Sequence, residues 1–160
     1  MAERTLDVIG LGRAGVDFYG EQLGGRLEDM ASFAKYVGGS PTNTVIGLAR
    51  LGLKAALITR VGDEHMGRFI RETLEAEGVD TSHVKTDPER LTALVILGIR
   101  DRDTFPLIFY RQDCADMAID EGDFDRDFIA SAKALLLSGT HFSTPRVNRA
   151  SRAAVSHARA

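Results

Sequence analysis

The alternation of buried strands with amphipathic helices in the first half of the chain constrains the fold more than any other feature. Residues 6–12 (LDVIGLG) form an apolar run closed by glycines, which is typical of a parallel strand in the middle of a sheet. Three further elements continue the alternation: a helix with Ser40 at its N-cap and Gly52 as its stop, a strand at residues 54–61 and a helix at residues 64–77. This order predicts an α/β fold built on a parallel sheet with right-handed crossovers.

Two insertions interrupt this alternation and predict a second, smaller sheet. The first, residues 15–39, is rich in glycine and contains a run at 32–37 (SFAKYV) that alternates like a strand. The second, at about residues 91–112, contains two apolar runs, 92–99 and 105–111, joined by a charged turn, which predicts an antiparallel hairpin. We expect the two insertions to pair as a small sheet that stands off the main one.

The α/β alternation resumes after the second insertion. The predicted elements are a short helix near residues 124–132, a strand at 134–138 (ALLLS) and a helix that opens at Thr144 and Pro145. Because no repeat, low-complexity tract or linker separates these parts, residues 1–160 are predicted to be a single domain from which the two insertions project.

Composition and charge narrow the classes of partner. The chain has 160 residues, 44% hydrophobic and 27% charged, and a formal net charge of −3. These proportions are ordinary for a soluble globular domain, and the scattered Lys and Arg residues provide no basic field for nucleic acid or an anionic membrane. The polar start, Met1 to Arg4, and the short, glycine-broken run after it do not resemble a signal peptide, which predicts a cytoplasmic protein.

The sequence GLGRAG, with Gly10, Gly12 and Gly15, matches the dinucleotide-binding pattern G-x-G-x-x-G. That motif requires a helix starting within it, whose N-terminal amides hold a pyrophosphate, and then a strand ending in an acidic residue. Here it is followed by VDFYGEQLGG, which has further glycines and no apolar stripe of helical period. The pattern therefore favours turn glycines at a crowded strand exit over a dinucleotide-dependent oxidoreductase.

A second glycine motif, GGSPTN, lies at residues 38–43, just before the predicted helix. Gly38 and Gly39 would let a ligand approach the backbone at the start of the helix. Asn43, on the first turn, offers both a donor and an acceptor to a polyol hydroxyl. From spacing alone the alternative is equally open: a glycine-rich helix entry with Asn43 exposed to solvent.

The sequence around GGSPTN resembles that of the PfkB carbohydrate kinases, which have a ribokinase-like fold. The resemblance rests on GGSPTNTVIGLARLG followed by ITRVGDEHMGRFIRETLEAEGVD, in which the glycine pair, the asparagine helix and the exit of the next strand fall in family order. Within the family the chain is most similar to the 5-dehydro-2-deoxygluconokinases of myo-inositol catabolism, through LGRAGVDFYGEQ and LTALVILGIRDRDTFPLIFYRQDCAD.

The resemblance implies a three-layer α/β sandwich whose two insertions form an antiparallel β lid over the substrate. It implies that Asp17 accepts hydrogen bonds from sugar hydroxyls and that Gly38, Gly39 and Asn43 line the opposite side. Related kinases of keto-deoxy sugar acids carry a Tyr-Tyr-Arg run in the second lid hairpin, where this chain has Phe-Tyr-Arg ending at Arg111. Arg111 is therefore expected to bind the substrate carboxylate. The alternatives are a turn-capping role for Asp17 and a solvated lid charge for Arg111.

The resemblance also implies ATP and magnesium as cosubstrate and cofactor, and the option of a homodimer formed through the lid. The family's Gly-Ala-Gly-Asp signature, which carries the catalytic base and the anion hole, has no counterpart in these 160 residues. We therefore expect the catalytic base and the ATP site to lie outside this chain, and the chain alone to be inactive. No catalytic residue and no metal ligand is assigned within it, and a sugar-binding module without catalysis is the alternative function.

Overall fold

The computed structural model describes residues 4–160, so the first three residues of the polar start considered above lie outside the described part. Residues 4–160 form eight strands and four α-helices. The strands are β1 (Leu6–Leu11), β2 (Gly15–Gly20), β3 (Phe33–Gly38), β4 (Ala55–Gly62), β5 (Val84–Asp87), β6 (Ala93–Leu97), β7 (Leu107–Tyr110) and β8 (Ala132–Leu137). The helices are α1 (Ser40–Arg50), α2 (His65–Ala76), α3 (Arg126–Ala130) and α4 (Pro145–Arg159). Four short 3₁₀ helices lie at Leu27–Asp29, Ala115–Ala118, Glu121–Asp123 and Gly139–Phe142.

The main sheet is parallel and has the strand order β5-β4-β1-β8. Strand β1 therefore lies in the interior of the sheet, as its continuous apolar run predicts. Its side chains alternate between two layers of helices. Ile9 and Leu11 pack in the cluster that contains α3 and α4, whereas the space at Gly10 is filled by Val45 of α1, whose Cγ1 lies 2.7 Å from where a Cβ would stand. The result is the three-layer α/β/α sandwich expected from the sequence.

The second sheet is the lid, with the order β3-β2-β6-β7. The first insertion supplies the β2–β3 hairpin and the second supplies the β6–β7 hairpin. The two hairpins join through a parallel pairing of β2 with β6, so the lid is mixed rather than antiparallel throughout. Pairing of the two insertions into one small sheet is thereby confirmed.

One face of the lid packs on the core and the other is open. Val16, Phe18, Val37 and Leu94 belong to the same hydrophobic cluster as α1, α2 and β4. The opposite face carries a cross-strand row in which Tyr36, Asp17, Val95 and Phe109 are successive neighbours. The pleat therefore places Asp17 on the face turned away from the hydrophobic cluster.

Three details of the sequence prediction need correction. The N-cap of α1 is Gly39 rather than Ser40, because the chain turns from β3 into the helix at Gly39, whose φ of 109° only glycine adopts readily. Strand β8 begins at Ala132, two residues earlier than predicted, because the helix before it ends at Ala130. Strand β5 was not predicted, since its four residues (VKTD) are too few and too polar to give a periodic signal.

Candidate substrate-binding site

Asp17 and Gly38 form the centre of the site. They lie on neighbouring strands, where Gly15 pairs with Gly38 and Asp17 pairs with Tyr36. A Cβ on Gly38 would overlap the carboxylate of Asp17, so the absence of a side chain there leaves room for the Asp17 carboxylate. This is a specific reason for glycine at this position, beyond turn flexibility.

The Asp17 carboxylate is partly buried and incompletely satisfied. Its Oδ1 is buried and has no hydrogen-bond partner among residues 4–160. Burial raises the pKa of Asp17 above its ordinary value, and the positive charge of Arg13 opposes that effect. A buried acceptor without a donor is costly, and it is commonly found where a ligand supplies the missing group.

Gly39 and the start of α1 are locked against the loop between β1 and β2. A Cβ on Gly39 would overlap the carbonyl oxygen of Arg13, and the Thr42 hydroxyl donates to that same oxygen at 2.7 Å. The backbone N–H of Asn43 donates to the carbonyl of Gly39 at 2.8 Å. The side chain of Asn43 is exposed on the first turn of the helix.

Asn43 borders an open cleft of about 420 Å³ between β3, α1 and α2. Tyr36, the cross-strand neighbour of Asp17, also lines this cleft. On its other side Lys35 lies over the ring of Phe69, with 3.8 Å between Nζ and the ring centroid. Asp17 does not line this cleft, so among the described residues the structure shows no contact that brings Asn43 to the Asp17 carboxylate.

Arg111 follows β7 directly and is bound to a buried carboxylate. Its Nε and Nη2 donate to Oδ2 of Asp116 at 2.8 and 2.6 Å. The Asp116 side chain is fully buried in the 3₁₀ helix that follows the lid, and its Oδ1 has no partner in the described residues. Burial raises the pKa of Asp116, and the bond from Arg111 opposes this.

Arg13 connects the two acidic groups. Its guanidinium carbon lies 5.7 Å from the centroid of the Phe109 ring, within the range of a cation–π contact. Its charge lowers the pKa of both Asp17 and Asp116 against the larger effect of burial. The structure thus brings Asp17, Gly38 and Gly39 together with Arg13, which contacts the ring of Phe109 two residues before Arg111, and it leaves Asn43 in the cleft between β3, α1 and α2.

Two residues of this site were missed by sequence reasoning. Asp116 belongs to no short motif, and Arg13 lies inside GLGRAG, where the pattern depends on the glycines and not on the arginine. Asp116 lies in a run of polar residues after a hairpin, where an aspartate is usually solvated. Only the path of the chain around the lid places Asp116 beside Arg111 and brings Arg13 to the ring of Phe109.

The dinucleotide interpretation of GLGRAG lacks its helix. Gly15 begins strand β2, which runs into the lid, so the helix that the dinucleotide motif requires does not start within GLGRAG. In addition, residues 4–160 contain no group of three or more His, Cys, Asp or Glu side chains arranged to hold a metal ion. None of the helices in that range is long and apolar enough to cross a membrane.

Comparison with known proteins gives a consistent result. Residues 5–160 match the pfkB family carbohydrate kinase model. A 5-dehydro-2-deoxygluconokinase from Geobacillus kaustophilus is 42% identical over 139 residues, which are 86% of this chain and 42% of that protein. The chain therefore spans less than half the length of this curated relative.

Two solved structures extend the comparison. A PfkB protein from Polaromonas sp. JS666 superposes with a TM-score of 0.89 at 33% identity, covering 97% of this chain and 52% of that one. An uncharacterized sugar kinase from Pyrococcus horikoshii in complex with ATP gives a TM-score of 0.85 at 25% identity, covering 93% and 48%. Both cover nearly all of this chain but only about half of the solved chain.

Proposed function

Because this chain belongs to the pfkB family of carbohydrate kinases, we propose that it supplies the sugar-binding part of a kinase that phosphorylates a hydroxyl of a keto-deoxy sugar acid. The acid we propose is 5-dehydro-2-deoxygluconate, an intermediate of inositol catabolism, after the name of the relative at 42% identity. One observation carries the proposal: a buried Asp17 oxygen without a partner in the described residues lies within reach of the charge of Arg13, on the face of the lid turned away from the core, and Arg111 follows β7 of the same lid. Such a set offers an acceptor to sugar hydroxyls and cations to a carboxylate.

Each predicted residue has a part in this binding. Asp17 accepts hydrogen bonds from substrate hydroxyls, and Gly38 and Gly39 allow the sugar to approach the backbone. Asn43 binds a further hydroxyl from the start of α1, and Arg111 binds the carboxylate. Because phosphoryl transfer depends mainly on positioning and on exclusion of water, a lid that closes over the sugar is the contribution expected of this part of the enzyme.

Phosphoryl transfer itself is proposed to need residues outside this chain. ATP, with magnesium, would supply the phosphoryl group, and the magnesium would neutralise charge on its phosphates. Asp63, Glu64 and Asp87 are not assigned to the metal, since Glu64 and Asp87 are engaged with backbone N–H groups of their own loops. The complete enzyme would work in the cytoplasm on a small-molecule substrate.

The lid also supports a proposal about assembly. Strand β7 is an edge strand, and its four side chains are all exposed: Leu107, Ile108, Phe109 and Tyr110. An apolar edge of this kind favours pairing with another strand. We propose that the lid of a second copy of this chain covers this edge and forms a homodimer. Sedimentation equilibrium of the purified protein measures the molecular mass and so tests for the dimer.

Calorimetry and an ADP-release assay together test the proposed function. We expect the purified 160-residue chain to bind 5-dehydro-2-deoxygluconate weakly and to release no ADP when ATP and magnesium are added. Asp17→Asn should abolish the binding, whereas Asp127→Asn, an exposed carboxylate on α3, should leave it unchanged.

Two outcomes of these assays contradict the proposal. If the unchanged chain fails to bind the sugar acid, the substrate assignment is wrong. If the purified chain releases ADP and Asp17→Asn abolishes that release, a catalytic base lies within these residues, and the division of labour proposed here is wrong.

A further inference from the structure

Two of the N–H donors of the Arg111 guanidinium are already bonded to a protein carboxylate. An arginine holds a carboxylate most firmly through two parallel N–H donors on one edge of its planar fork. The Nε–Nη2 edge of Arg111 is directed to Oδ2 of the fully buried Asp116. Its charge is therefore balanced from within the fold, and only its outer edge remains for a ligand.

Unlike Arg111, Arg13 is not paired with a protein carboxylate in the described part of the chain. Among residues 4–160 its side chain has no carboxylate within ion-pair distance and no hydrogen-bond acceptor, and it rests against the ring of Phe109. Its backbone, in contrast, is held by the bond from the Thr42 hydroxyl and by close packing of Gly39. A fixed backbone with an unpaired guanidinium is the arrangement expected of a preorganised anion-binding side chain.

The position of Arg13 relative to the rest of the site is set by two observations. Its ring partner, Phe109, lies two residues before Arg111 and in the same cross-strand row as Asp17. Its charge acts on both acidic groups of the site, Asp17 and Asp116. Arg13 therefore lies against the strand that leads to Arg111 and within electrostatic reach of Asp17, the carboxylate expected to accept sugar hydroxyls.

The charges of the site balance only in the absence of the substrate. Two carboxylates, Asp17 and Asp116, and two guanidiniums, Arg13 and Arg111, sum to zero, and a bound sugar acid adds one negative charge. Of the two cations, the one not committed to a protein carboxylate by hydrogen bonds is Arg13. We propose that Arg13 binds the carboxylate of the sugar acid together with the outer edge of Arg111, and so determines the preference for an acid over a neutral sugar.

This inference rests on the proposed function, and a pair of matched ligands tests it separately. The probes are 5-dehydro-2-deoxygluconate and its carboxamide, which has the same shape without the charge. Calorimetry with Arg13→Gln should weaken binding of the acid by about 10- to 100-fold, the value of a charge-assisted hydrogen-bonded pair, and change binding of the carboxamide by less than about twofold. Arg13→Lys, which keeps the charge but not the planar fork, should fall between.

The matched control is Arg68→Gln on α2, an exposed arginine that should alter neither affinity. The inference is overturned if Arg13→Gln leaves the acid affinity within about twofold of the unchanged protein, or weakens both ligands equally. If Arg13→Gln does not fold, Arg13→Lys provides the test instead. An affinity of Arg13→Lys for the acid equal to that of the unchanged protein would exclude recognition of the carboxylate by the planar guanidinium of Arg13. If the unchanged protein prefers the carboxamide or binds neither ligand, the proposed function itself fails, and this inference fails with it.

Discussion

At the scale of single residues, Gly38 and Asp17 depend on each other. The carboxylate of Asp17 occupies the space that a side chain at position 38 would need. The strand pairing fixes both backbones, so neither can move away without breaking the β2–β3 ladder. The glycine therefore sets where the Asp17 carboxylate points.

Replacing Gly38 with alanine tests this dependence. The new methyl group should force the Asp17 carboxylate into another rotamer, and we expect the affinity for the sugar acid to fall by at least about tenfold, which equals the loss of one good hydrogen bond. Gly47→Ala on α1 is the control, because a Cβ there meets no atom within 4 Å. The control should keep its affinity and gain about 0.5–1 kcal/mol of stability. Equal affinity in the Gly38 variant would contradict this account of the pocket.

The ionised carboxylate of Asp17 should lower the free energy of unfolding, because it is partly buried. Burial raises its folded-state pKa above the ordinary value of 3.8, so in the window just above pH 3.8 the folded state binds more protons than the unfolded state. The free energy of unfolding therefore falls as the pH rises through that window. At pH 7 the full penalty remains.

Asp17→Asn removes the charge and should raise the free energy of unfolding at pH 7 by about 0.5 kcal/mol, a small value because water screens the partly exposed carboxylate. At pH 3, where the aspartate is protonated in both states, the gain should vanish. Urea unfolding at the two pH values measures both numbers. A variant that is less stable than the unchanged protein at pH 7 would show that Arg13 outweighs burial.

The sequence predicted one part of the site and not the other for a physical reason. Gly38, Gly39 and Asn43 lie in a glycine motif whose backbone constraints are local and can be recognised in a short window, whereas Asp17 and Arg111 are expected only from the family resemblance. Asp116 is brought near Asp17 and its neighbour Arg13 by the lid, through pairing of β2 with β6 about 80 residues along the chain. A contact of that kind leaves no local pattern.

At the scale of elements, Glu64 joins the lid to the core. It is the N-cap of α2, and its carboxylate accepts from the backbone N–H groups of Met66 at 2.6 Å and Gly67 at 3.2 Å. It also accepts from the N–H of Thr92 at 3.1 Å, immediately before β6, while the hydroxyl of Thr92 receives the N–H of Gly62. One carboxylate thus fixes the start of a core helix and the entry of the second lid hairpin.

Glu64→Ala should therefore lower the free energy of unfolding by about 1–2 kcal/mol at pH 7, since it removes a helix cap and leaves the N–H of Thr92 without an acceptor. Although burial alone raises the pKa of Glu64, the bonds from Thr92, Met66 and Gly67 hold it below its ordinary value of 4.5. The stabilisation is thus fully present above pH 4.5 and is lost as the pH falls further.

The control for this prediction is Glu72→Ala, an exposed carboxylate on the same helix. Thermal unfolding across pH 3 to 7 should show the Glu64 variant converging with the unchanged protein at the acid end. A difference that stays constant with pH would mean that the charge of Glu64 contributes nothing.

The helices and strands that could be predicted from the sequence are those with a clear pattern of apolar residues. The helices α1 and α2 and the strands β1 and β4 bury continuous or regularly spaced apolar residues, such as Val45 and Ile70, and their existence was evident from the sequence. In contrast, β5 is held by pairing with β4 and by bonds to Asp87, which caps the loop after it. Its stability comes from its neighbours rather than from its own residues.

At the scale of the whole molecule, a partly buried charge network joins the end of the main sheet to the segments after the lid. Arg60 of β4 makes a bidentate pair with Asp123 at 2.7 and 2.8 Å and also lies near Asp87 and Asp120. Arg146 of α4 donates to Asp120 at 2.5 Å. The network fixes α4 and the 3₁₀ helix at Glu121–Asp123 on the sheet, and so completes the layer opposite α1 and α2.

The whole arrangement leads to one central claim, namely that the open face of the lid, and no other surface of this chain, binds the sugar acid. The fold supports this through geometry, since Arg13 and Asp17, Gly38, and Arg111 come from three separate segments that the lid brings together. The alternative surfaces are the open clefts around α4, including the one lined by Phe142, Arg152 and Arg159.

Titration of the ¹⁵N-labelled chain with 5-dehydro-2-deoxygluconate, followed by ¹H–¹⁵N correlation NMR, tests this claim most directly. We predict that the largest amide shifts occur at Arg13, Asp17, Gly38, Gly39 and Arg111 and saturate with a single dissociation constant. Shifts concentrated on α4, around Arg152 and Arg159, with the lid unchanged, would contradict it.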